Sequence, residues 1–294
     1  MPNSSFGSHL PNFTNLNDAA LWAIERCQHG AISAPRGEPT REIFACAFKI
    51  SNPRNRVMSL TGRRWNHALA IGELCWHMAG RDDVDALTYY APRWALYSDD
   101  GHTVRGSCYG RKMLSARNGM NAWDVAANYL RDDPESRRAT ITVGGYDTSD
   151  TNHVKDMSCL QTLHFFVREN RLSLISHMRS NDAYIGLPYD VYLFSFFMEL
   201  MAFDLGHDLG DYVHIADSMH LYERDIDAAQ NLTPAKSIQS MTKISDRRGL
   251  QQLISFEEDL RTSGVVGDLP QTKPWRDMAE VLVRFHQRQN DARR

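Results

Sequence analysis

Cys159 is the residue of this sequence that is best suited to nucleophilic chemistry. It follows the polar stretch YDTSDTNHVKDMS and directly precedes an apolar, extended run. A thiol at such a junction can be exposed to solvent, and nearby cations would lower its pKa and favour the reactive thiolate. The alternative is a small buried apolar residue, which is the commoner situation for a cysteine.

Arginines at the ends of predicted elements are suited to binding a phosphate. Arg137 and Arg138 follow the polar stretch DDPES, and Arg179 is followed by Ser180. A planar guanidinium group can give two parallel hydrogen bonds to one phosphate. The alternative for each arginine is a solvated surface side chain, whose ion pairs contribute little to stability.

Two carboxylates lie in apolar surroundings. Glu73 is followed by the residues LCW on a predicted helix. If Glu73 is buried, its pKa rises and it can act as an acid or base, whereas on the wet face of the helix it is an ordinary surface glutamate. Asp190 follows GLPY and precedes the apolar run VYLFSFF. It either caps the helix or forms hydrogen bonds to a polar group of a ligand in a pocket.

Hydrophobic spacing predicts the helices and strands that must position these residues. Helical spacing is found in LNDAALWAIERCQHG, which includes an Asn/Asp cap, and in NHALAIGELCWHMAG, NAWDVAANYLRDD, DRRGLQQLISFEEDL and PWRDMAEVLVRFHQRQ. Extended patterns are found in REIFACAFKI, SRRATITVGGY and DYVHIADSMHLY, and TLHFFVRENRLSLISHMRS predicts a hairpin that turns at REN. The run DVYLFSFFMELMAFDLG is apolar on nearly every side, so we expect a buried central helix.

Composition narrows the class of protein. The chain has 294 residues, 42% of them hydrophobic, and a net charge of −3. These values predict a folded globular protein without nucleic acid as its partner. The five cysteines include no CxxC pair, which argues against a disulfide framework, a zinc site or another metal site. No secretory signal is visible, and the apolar run 191–203 is shorter than the ~20 residues that span a bilayer, so we expect a cytoplasmic protein without a membrane partner.

The order of short motifs along the chain resembles the thymidylate synthase family over residues 16–222. The blocks are, in order, Glu73-Leu-x-Trp, Tyr109-Gly110, DPESRR, Cys159, LSLISHMRSNDAYIGLPYD and GDYVHIADSMHLY. The resemblance implies an α/β (α+β) thymidylate-synthase-like fold with a large mixed sheet covered by helices. We expect a flexible N-terminus at 1–15, the catalytic domain at 16–225, and a mainly helical C-terminal extension at 226–294 on the same domain.

The resemblance also implies a role for each matching residue. Cys159 is the expected nucleophile that adds to C6 of a pyrimidine nucleotide, and Glu73 and Tyr109 are the expected catalytic glutamate and tyrosine. The residues expected to hold the phosphate are Arg36, Arg137, Arg138, Arg179 and Ser180, and those expected to hold the sugar 3′-hydroxyl are His220 and Tyr222. The residues expected at the folate site are Asp182, Trp94, Gly186 and Glu73. In this family the arginine pair reaches across a homodimer interface, so Arg137 and Arg138 are expected at the partner subunit's phosphate site.

Several positions depart from the family pattern. The usual Pro-Cys-His is Ser158-Cys159-Leu160, a usual glutamine is His164, and Ser218 replaces an aspartate. The sequence ends QNDARR, without the apolar tail that closes over folate in thymidylate synthases. These departures predict that the hydride-transfer half of the synthase reaction is lost.

Asp190 is the most informative departure, because the family residue after GLPF is an asparagine that pairs with uracil. Cytosine presents the reverse edge, with N3 as an acceptor and the 4-amino group as a donor. A carboxyl group can serve both atoms, either neutral or paired with protonated N3. In this superfamily the change to aspartate marks cytidylate hydroxymethylases, which use 5,10-methylenetetrahydrofolate.

The expected reaction is therefore the 5-hydroxymethylation of dCMP, with CMP as the alternative substrate. Water adds where a synthase delivers hydride, and Glu73 is expected to deprotonate that water with help from Tyr109 and His164. Three other interpretations are a thymidylate synthase that uses dUMP, a non-catalytic nucleotide-binding relative, and a cysteine hydrolase built on Cys159 and His164. Cys159 and His164 are five residues apart on a predicted strand, so their side chains point to opposite faces. This separation argues against a hydrolase in which the histidine activates the thiol.

Overall fold

The computed structural model describes residues 9–116, 119–145 and 154–293. The helices in these ranges are α1 (Leu16–Gln28), α2 (His67–Met78), α3 (Val84–Thr88), α4 (Tyr109–Leu114), α5 (Ala122–Asp132), α6 (Gly186–Leu205), α7 (Ile226–Gln230), α8 (Arg248–Ser263) and α9 (Trp275–Arg293). The strands are β1 (Asn12–Phe13), β2 (Ala31–Ser33), β3 (Thr40–Ile50), β4 (Thr140–Thr142), β5 (Leu160–Arg168), β6 (Arg171–Asp182) and β7 (Asp208–Tyr222). Residues 1–8 of the predicted flexible N-terminus and 146–153 of the predicted loop before Cys159 lie outside the described residues.

The chain divides into two compact units by its internal packing. The first unit comprises residues up to Trp65 together with Asp124–Gly144 and Cys159–Met241. The second unit comprises Asn66–Trp123, Gly145–Ser158 and the residues from Thr242 onward. The strands, α1, α6 and α7 belong to the first unit, and α2, α3, α4, α8 and α9 belong to the second.

A mixed sheet forms the first unit. Its strand order is β1-β3-β7-β6-β5-β4, and β2 pairs with β3 outside this path. Strand β6 runs parallel to β7, whereas β3 with β7 and β5 with β6 are antiparallel. The predicted hairpin is confirmed as β5 and β6. Its turn residues Glu169 and Asn170 have φ angles of 51° and 60°, as a two-residue turn that follows the strand twist requires.

The cap of helix α1 is Asn15, whereas the sequence predicted the Asn or Asp within LNDAAL, which lie inside the helix. The side chain of Asn15 accepts a hydrogen bond of 2.9 Å from the main-chain N–H of Asp18, which satisfies one of the free donors of the first turn. The buried residues of α1 follow the helical period and form its inner face: Leu16, Ala19, Ala20, Ala23, Ile24 and Cys27. This face packs on β3 and β7.

Helix α6 is the buried helix that its apolar sequence predicts, and it packs on β6 and β7. It ends at Gly206, whose φ of 74° is the left-handed conformation that glycine tolerates. The helix begins at Gly186, whereas the sequence interpretation placed its start at Asp190. Pro188 fits inside the first turn because the main-chain N–H groups there have no helical partner. Asp190 therefore lies within the helix.

Helices alone form the described part of the second unit, apart from 3-10 turns and isolated bridges. Helix α2 packs with α3, α4, α8 and α9. On α8, the buried carboxylate of Glu257 accepts hydrogen bonds from the Tyr90 hydroxyl at 2.9 Å and from Arg261 Nε at 2.8 Å. Because both donors satisfy the same buried oxygen, this group stabilises the junction between the helices. The two predicted C-terminal helices are confirmed as α8 and α9.

These elements confirm the predicted fold class, which is a mixed α/β structure with a large mixed sheet and a helical C-terminal region. Over the described residues, no helix is both long and apolar enough to cross a membrane.

Candidate active site

Cys159 differs in exposure from the other cysteines. It is half-buried at the start of β5, whereas Cys27, Cys46, Cys75 and Cys108 are buried. Burial is the main cause of a raised pKa in each of these four thiols, to about 12 for Cys27 and about 11 for Cys46. A thiol with so high a pKa carries almost no thiolate near neutral pH. Cys159 is therefore the thiol that the structure leaves available for nucleophilic chemistry.

Hydrogen bonds between neighbouring strands connect Cys159 to the predicted phosphate and sugar residues. The main-chain N–H of Arg179 donates to the carbonyl oxygen of Cys159 at 2.9 Å. The Arg179 side chain is exposed, and the next residue, Ser180, has its Oγ 3.4 Å from Nδ1 of His220 on β7. Parallel pairing of β6 with β7 sets this register, since Ser180 lies opposite Ser218. The structure thus brings Cys159, Arg179, Ser180 and His220 into one region of the sheet.

His220 lies among charged groups. Burial is the main cause of its lowered pKa, Asp182 opposes that shift, and Arg36 reinforces it. The edge of the Tyr222 ring meets the His220 ring with centroids 5.2 Å apart and an angle of 87°. Arg36 thus acts electrostatically on His220, the predicted sugar ligand.

Arg36 occupies a strained turn. Its side chain is exposed, and its φ of 55° lies in the left-handed region that few residues other than glycine adopt. Such a conformation, next to Gly37 with φ of 81°, turns the chain sharply between β2 and β3. The predicted phosphate ligand is thus presented from a loop.

Arg137 and Arg138 are exposed at the approach to β4. The Nε2–H of His164 donates to the main-chain carbonyl of Arg137 at 3.1 Å. Burial lowers the pKa of His164, and this hydrogen bond only partly offsets the effect. His164 therefore ties β5 to the arginine pair, in addition to the catalytic role predicted for it.

Asp190 lies one turn into α6 and is half-buried. Asn181 Nδ2 donates a hydrogen bond of 2.7 Å to its Oδ2. Burial raises the pKa of Asp190 to about 7, the Asn181 hydrogen bond lowers it, and Asp182 raises it further. Asp190 is thus a carboxyl group that can be neutral or ionised near pH 7 while part of it remains accessible.

The capping interpretation of Asp190 is wrong, because the cap of α6 is Ile185 and makes no side-chain cap bond. Asp182 instead closes the turn that precedes the helix: its Oδ1 accepts from the main-chain N–H groups of Tyr184 at 2.8 Å and Ile185 at 3.0 Å. Burial raises the pKa of Asp182, and these hydrogen bonds oppose the rise. Neither carboxylate therefore caps α6, and Asp190 is available for another role.

Gly186 lies against the Asn181–Asp190 pair. A Cβ atom at Gly186 would come within 3.2 Å of Asn181 Nδ2 and 3.6 Å of Asp190 Oδ2. The first contact is closer than ordinary van der Waals packing, so a side chain here would press on the hydrogen-bonded pair. A residue larger than glycine at position 186 would therefore disturb the hydrogen bond between Asn181 and Asp190.

A buried polar chain behind Asp190 was not foreseen from the sequence. Asn181 Oδ1 lies 3.0 Å from His214 Nε2, and His214 Nδ1 lies 2.8 Å from the hydroxyl of Tyr212 and 3.3 Å from that of Ser176. All four side chains are buried. The available signal was the presence of polar residues at core-facing positions of β6 and β7, where apolar ones are usual.

The second unit holds the other predicted catalytic residues. Glu73 is buried on α2, as the catalytic interpretation required. One turn along the same helix, His77 stacks on the ring of Tyr109 with centroids 5.4 Å apart and an angle of 4°. His77 Nδ1 also accepts the main-chain N–H of Gly110 at 3.1 Å. Burial lowers the pKa of His77 to about 3, so this ring is neutral.

Two details of this second group were not foreseen. His77 was not singled out from the sequence, although its spacing from Glu73 places both on one face of α2. Trp94 is half-buried in a 3-10 turn, Pro92–Tyr97, and packs against an apolar cluster that contains Trp76 and Val104. Its predicted contact with folate remains a prediction.

Comparison with known proteins identifies the family of this chain. A family model described as thymidylate synthase matches residues 24–261. This chain belongs to the thymidylate synthase family. Enzymes of this family act on a pyrimidine nucleotide and use methylenetetrahydrofolate as co-substrate. In the described ranges, no cluster of His, Cys, Asp and Glu is suited to holding a metal ion.

Individual relatives include phage and bacterial enzymes. A deoxyuridylate hydroxymethyltransferase of Bacillus phage SP01 is 33% identical over 214 residues, which cover 68% of this chain and 55% of that protein. A protein with the same name from Delftia phage PhiW-14 is 29% identical over 188 residues, or 60% of this chain and 51% of that protein. The thymidylate synthase of Bacillus licheniformis is 27% identical over 201 residues, or 65% of this chain and 70% of that protein. The chain thus spans about half the length of its phage relatives.

Proposed function

We propose that this protein transfers a hydroxymethyl group to C5 of dCMP, with 5,10-methylenetetrahydrofolate and water as co-substrates. The observation that carries the proposal is Asp190, a half-buried carboxyl group whose pKa burial raises to about 7. It stands where a thymidylate synthase has asparagine. The phage relatives named as hydroxymethyltransferases support the reaction type.

The hydrogen-bonding groups at N3 and at position 4 of the base explain the preference for cytosine. A neutral Asp190 can donate its O–H to N3 and accept from the 4-amino group, and an ionised one can hold the protonated N3. Uracil presents N3–H and O4, so it needs the opposite arrangement. A pocket that pairs with one edge leaves buried groups unpaired on the other, at about 1–3 kcal/mol for each.

The proposed reaction begins with the thiolate of Cys159, which forms a bond to C6 and makes C5 a carbon nucleophile. C5 then bonds to the one-carbon unit and loses its proton. The bond from that carbon to folate nitrogen breaks, which releases tetrahydrofolate and leaves an exocyclic methylene on the base. Water adds to the methylene, and the Cys159 thiolate leaves C6.

The remaining residues take the roles that the family resemblance implies. Glu73 orients and deprotonates the water, and Tyr109 and His164 assist proton transfer. Asp182, Trp94 and Gly186 contact folate. The burial of Glu73 supports a role as an acid or base, since a carboxyl group held away from bulk solvent can exchange its proton with a bound water.

Cationic and polar groups around His220 support a nucleotide phosphate and sugar site. Arg36 and Arg179 are exposed cations near Ser180 and His220, and Tyr222 adds a hydroxyl. We propose a homodimer in which Arg137 and Arg138 reach the partner subunit's phosphate, and their exposure on this chain supports it. His220 with Tyr222 addresses only the 3′-hydroxyl, which favours dCMP over CMP.

The second candidate is hydroxymethylation of dUMP, which the names of the phage relatives favour. One experiment separates the candidates. The protein is incubated with methylenetetrahydrofolate and with dCMP, CMP or dUMP labelled with tritium at C5. We expect tritium release and a hydroxymethyl product from dCMP, with tetrahydrofolate as co-product. Turnover of dUMP alone, or the rise in absorbance from dihydrofolate, would contradict the proposal.

Asp190→Asn tests the base assignment directly. The amide can turn to match uracil, so we expect the ratio of kcat/KM for dCMP to that for dUMP to fall by roughly ten- to a hundredfold. Asp208→Asn is the matched control, since it changes an exposed aspartate at the start of β7. An unchanged ratio in Asp190→Asn would remove Asp190 from base recognition.

A further inference from the structure

Asn181 has both ends of its side-chain amide engaged. Its Nδ2 donates to Asp190 Oδ2 at 2.7 Å, and its Oδ1 lies 3.0 Å from Nε2 of His214. The side chain of Asn181 is 4% exposed, so water does not compete freely for either end. The amide has one acceptor end and one donor end. The hydrogen bond with His214 therefore determines which end faces Asp190.

His214 is held in one protonation state. Burial lowers its pKa to about 3, so the ring is neutral and carries one N–H. Two hydroxyl groups lie on its Nδ1 side, Tyr212 at 2.8 Å and Ser176 at 3.3 Å, and they also contact each other at 2.8 Å. A carbonyl oxygen can only accept, so Nε2 carries the hydrogen and donates to Asn181 Oδ1. The hydroxyl of Tyr212 or Ser176 then donates to Nδ1.

Packing also fixes the plane of the His214 ring. Phe48 on β3 stacks on it with centroids 5.2 Å apart and an angle of 19°, and both side chains are buried. The ring therefore cannot turn over without disturbing the core between β3 and β7. With Nε2–H of His214 donating to Asn181 Oδ1, the NH₂ group of Asn181 faces Asp190.

Resting on the proposed function, we infer that Asn181, oriented by His214, is the positioning residue that makes Asp190 specific for cytosine. Asn181 holds Oδ2 of Asp190 as the oxygen that accepts, so the proton of a neutral Asp190 lies on Oδ1. Oδ1–H then donates to N3 of the base, and Oδ2 accepts from the 4-amino group. Uracil would need a donor at Oδ2, which the Asn181 N–H opposes.

The test uses the whole protein and compares binding of dCMP and dUMP. Asn181→Leu keeps the approximate shape and removes both ends of the amide. We expect the dissociation constant for dCMP to rise and the preference for dCMP over dUMP to fall roughly tenfold. The apparent pKa that governs dCMP binding should also rise, because the Asn181 hydrogen bond lowers the pKa of Asp190. The other titratable groups that face Asp190, Asp182 and Tyr212, are unchanged in this variant.

Two further variants separate orientation from simple loss of packing. His214→Phe keeps a ring against Phe48 but frees the amide to turn, so the dCMP preference should again fall. Ser195→Ala is the matched control, because it removes a different buried hydroxyl, which donates to Tyr192 O at 3.0 Å on α6. It should leave the preference unchanged. A wild-type preference and pH profile in Asn181→Leu would overturn the inference.

A measurement on the unsubstituted protein reports the tautomer of His214 directly. Nitrogen-15 NMR of labelled histidine, with His214→Phe for assignment, should show the Nε2–H tautomer at His214. The Nδ1–H tautomer would overturn the inference, since Asn181 would then have to turn its NH₂ group towards His214. Preference of the unsubstituted protein for dUMP would overturn the proposed substrate and this inference together. Preference for dCMP with no effect of Asn181→Leu would overturn the inference alone.

Discussion

The main-chain N–H of Arg179 donates a hydrogen bond of 2.9 Å to the carbonyl oxygen of Cys159. This bond joins the start of β5 to the end of β6, so the proposed nucleophile and the proposed phosphate ligand share one rigid piece of backbone. The side chains then need only small adjustments to meet a nucleotide. Positioning of this kind contributes to catalysis because it reduces the entropy lost on binding.

Cys159→Ser should abolish the covalent route. A serine hydroxyl is far less nucleophilic than a thiolate, so tritium release from C5 of dCMP should fall by about three orders of magnitude or more. Cys108→Ala is the control, because burial raises the pKa of that thiol and it should contribute nothing to the reaction. Comparable tritium release by Cys159→Ser and the unsubstituted protein would rule out the proposed adduct.

Arg179→Ala should weaken nucleotide binding through the phosphate. The lost charge-assisted hydrogen bonds correspond to roughly 1.5–3 kcal/mol, so the KM for dCMP should rise about ten- to a hundredfold. Arg171→Ala removes another exposed arginine from the opposite end of β6 and is expected to leave KM near its original value. Calorimetry with deoxycytidine in place of dCMP provides the check. An effect of Arg179→Ala that persists without the phosphate would contradict the assignment.

Asp190→Asn should change the pH dependence of stability. The folded-state pKa of about 7 exceeds the ordinary value of 3.8, so the folded protein retains this proton where the unfolded chain has released it. The stability of the unsubstituted protein should therefore fall as pH rises from about 4 to about 7, and asparagine removes that loss. The relative stability of the variant should rise by about 2 kcal/mol over this window, less than the full linkage value because Asp190 is partly accessible.

Urea unfolding of both proteins at pH 4.5, 6 and 8 provides this measurement. His77 and His214 have pKa values lowered to about 3 by burial, so they destabilise both proteins as pH falls below about 6.5. Their contribution cancels in the difference between the two proteins. A difference that does not change with pH would mean that Asp190 titrates normally.

Gly110→Ala should destabilise the second unit. A Cβ atom there would lie 1.8 Å from the carbonyl oxygen of His77, and backbone cannot move aside as a flexible side chain does. We expect a loss of about 3 kcal/mol or more in the free energy of unfolding. Gly145→Ala is the control, since its Cβ would meet nothing within 4 Å. Thermal unfolding of the two variants tests this, and equal melting temperatures would show that α2 and α4 do not pack as described.

Much of the fold was predictable because the relevant signals are local. The hairpin between β5 and β6 and the buried helix α6 each follow from residues close together in sequence. The start of α6 was placed at Asp190, after GLPY, whereas the helix begins at Gly186 because its first turn accepts proline. The motif order was sufficient to predict the family, since each motif keeps its place along the chain.

Parts of the candidate site depended on contacts between residues distant in sequence. Asn181 and His214 are 33 residues apart and meet because β6 and β7 are paired. His77 meets Tyr109 because α2 and α4 pack together. No local pattern contains such distances, so neither contact was foreseen.

The sequence by itself determined the mixed α/β class, the family and the identity of the proposed reactive groups, because these depend on residue types and their order. It also located Asp190 as the departure from the family pattern at the position that we propose binds the base. Only the tertiary structure decided which thiol stays accessible, that Asp190 lies within α6 and does not cap it, and that burial raises the pKa of Asp190 to about 7. The physical reason is that exposure, hydrogen-bond partners and pKa depend on what surrounds a side chain in space.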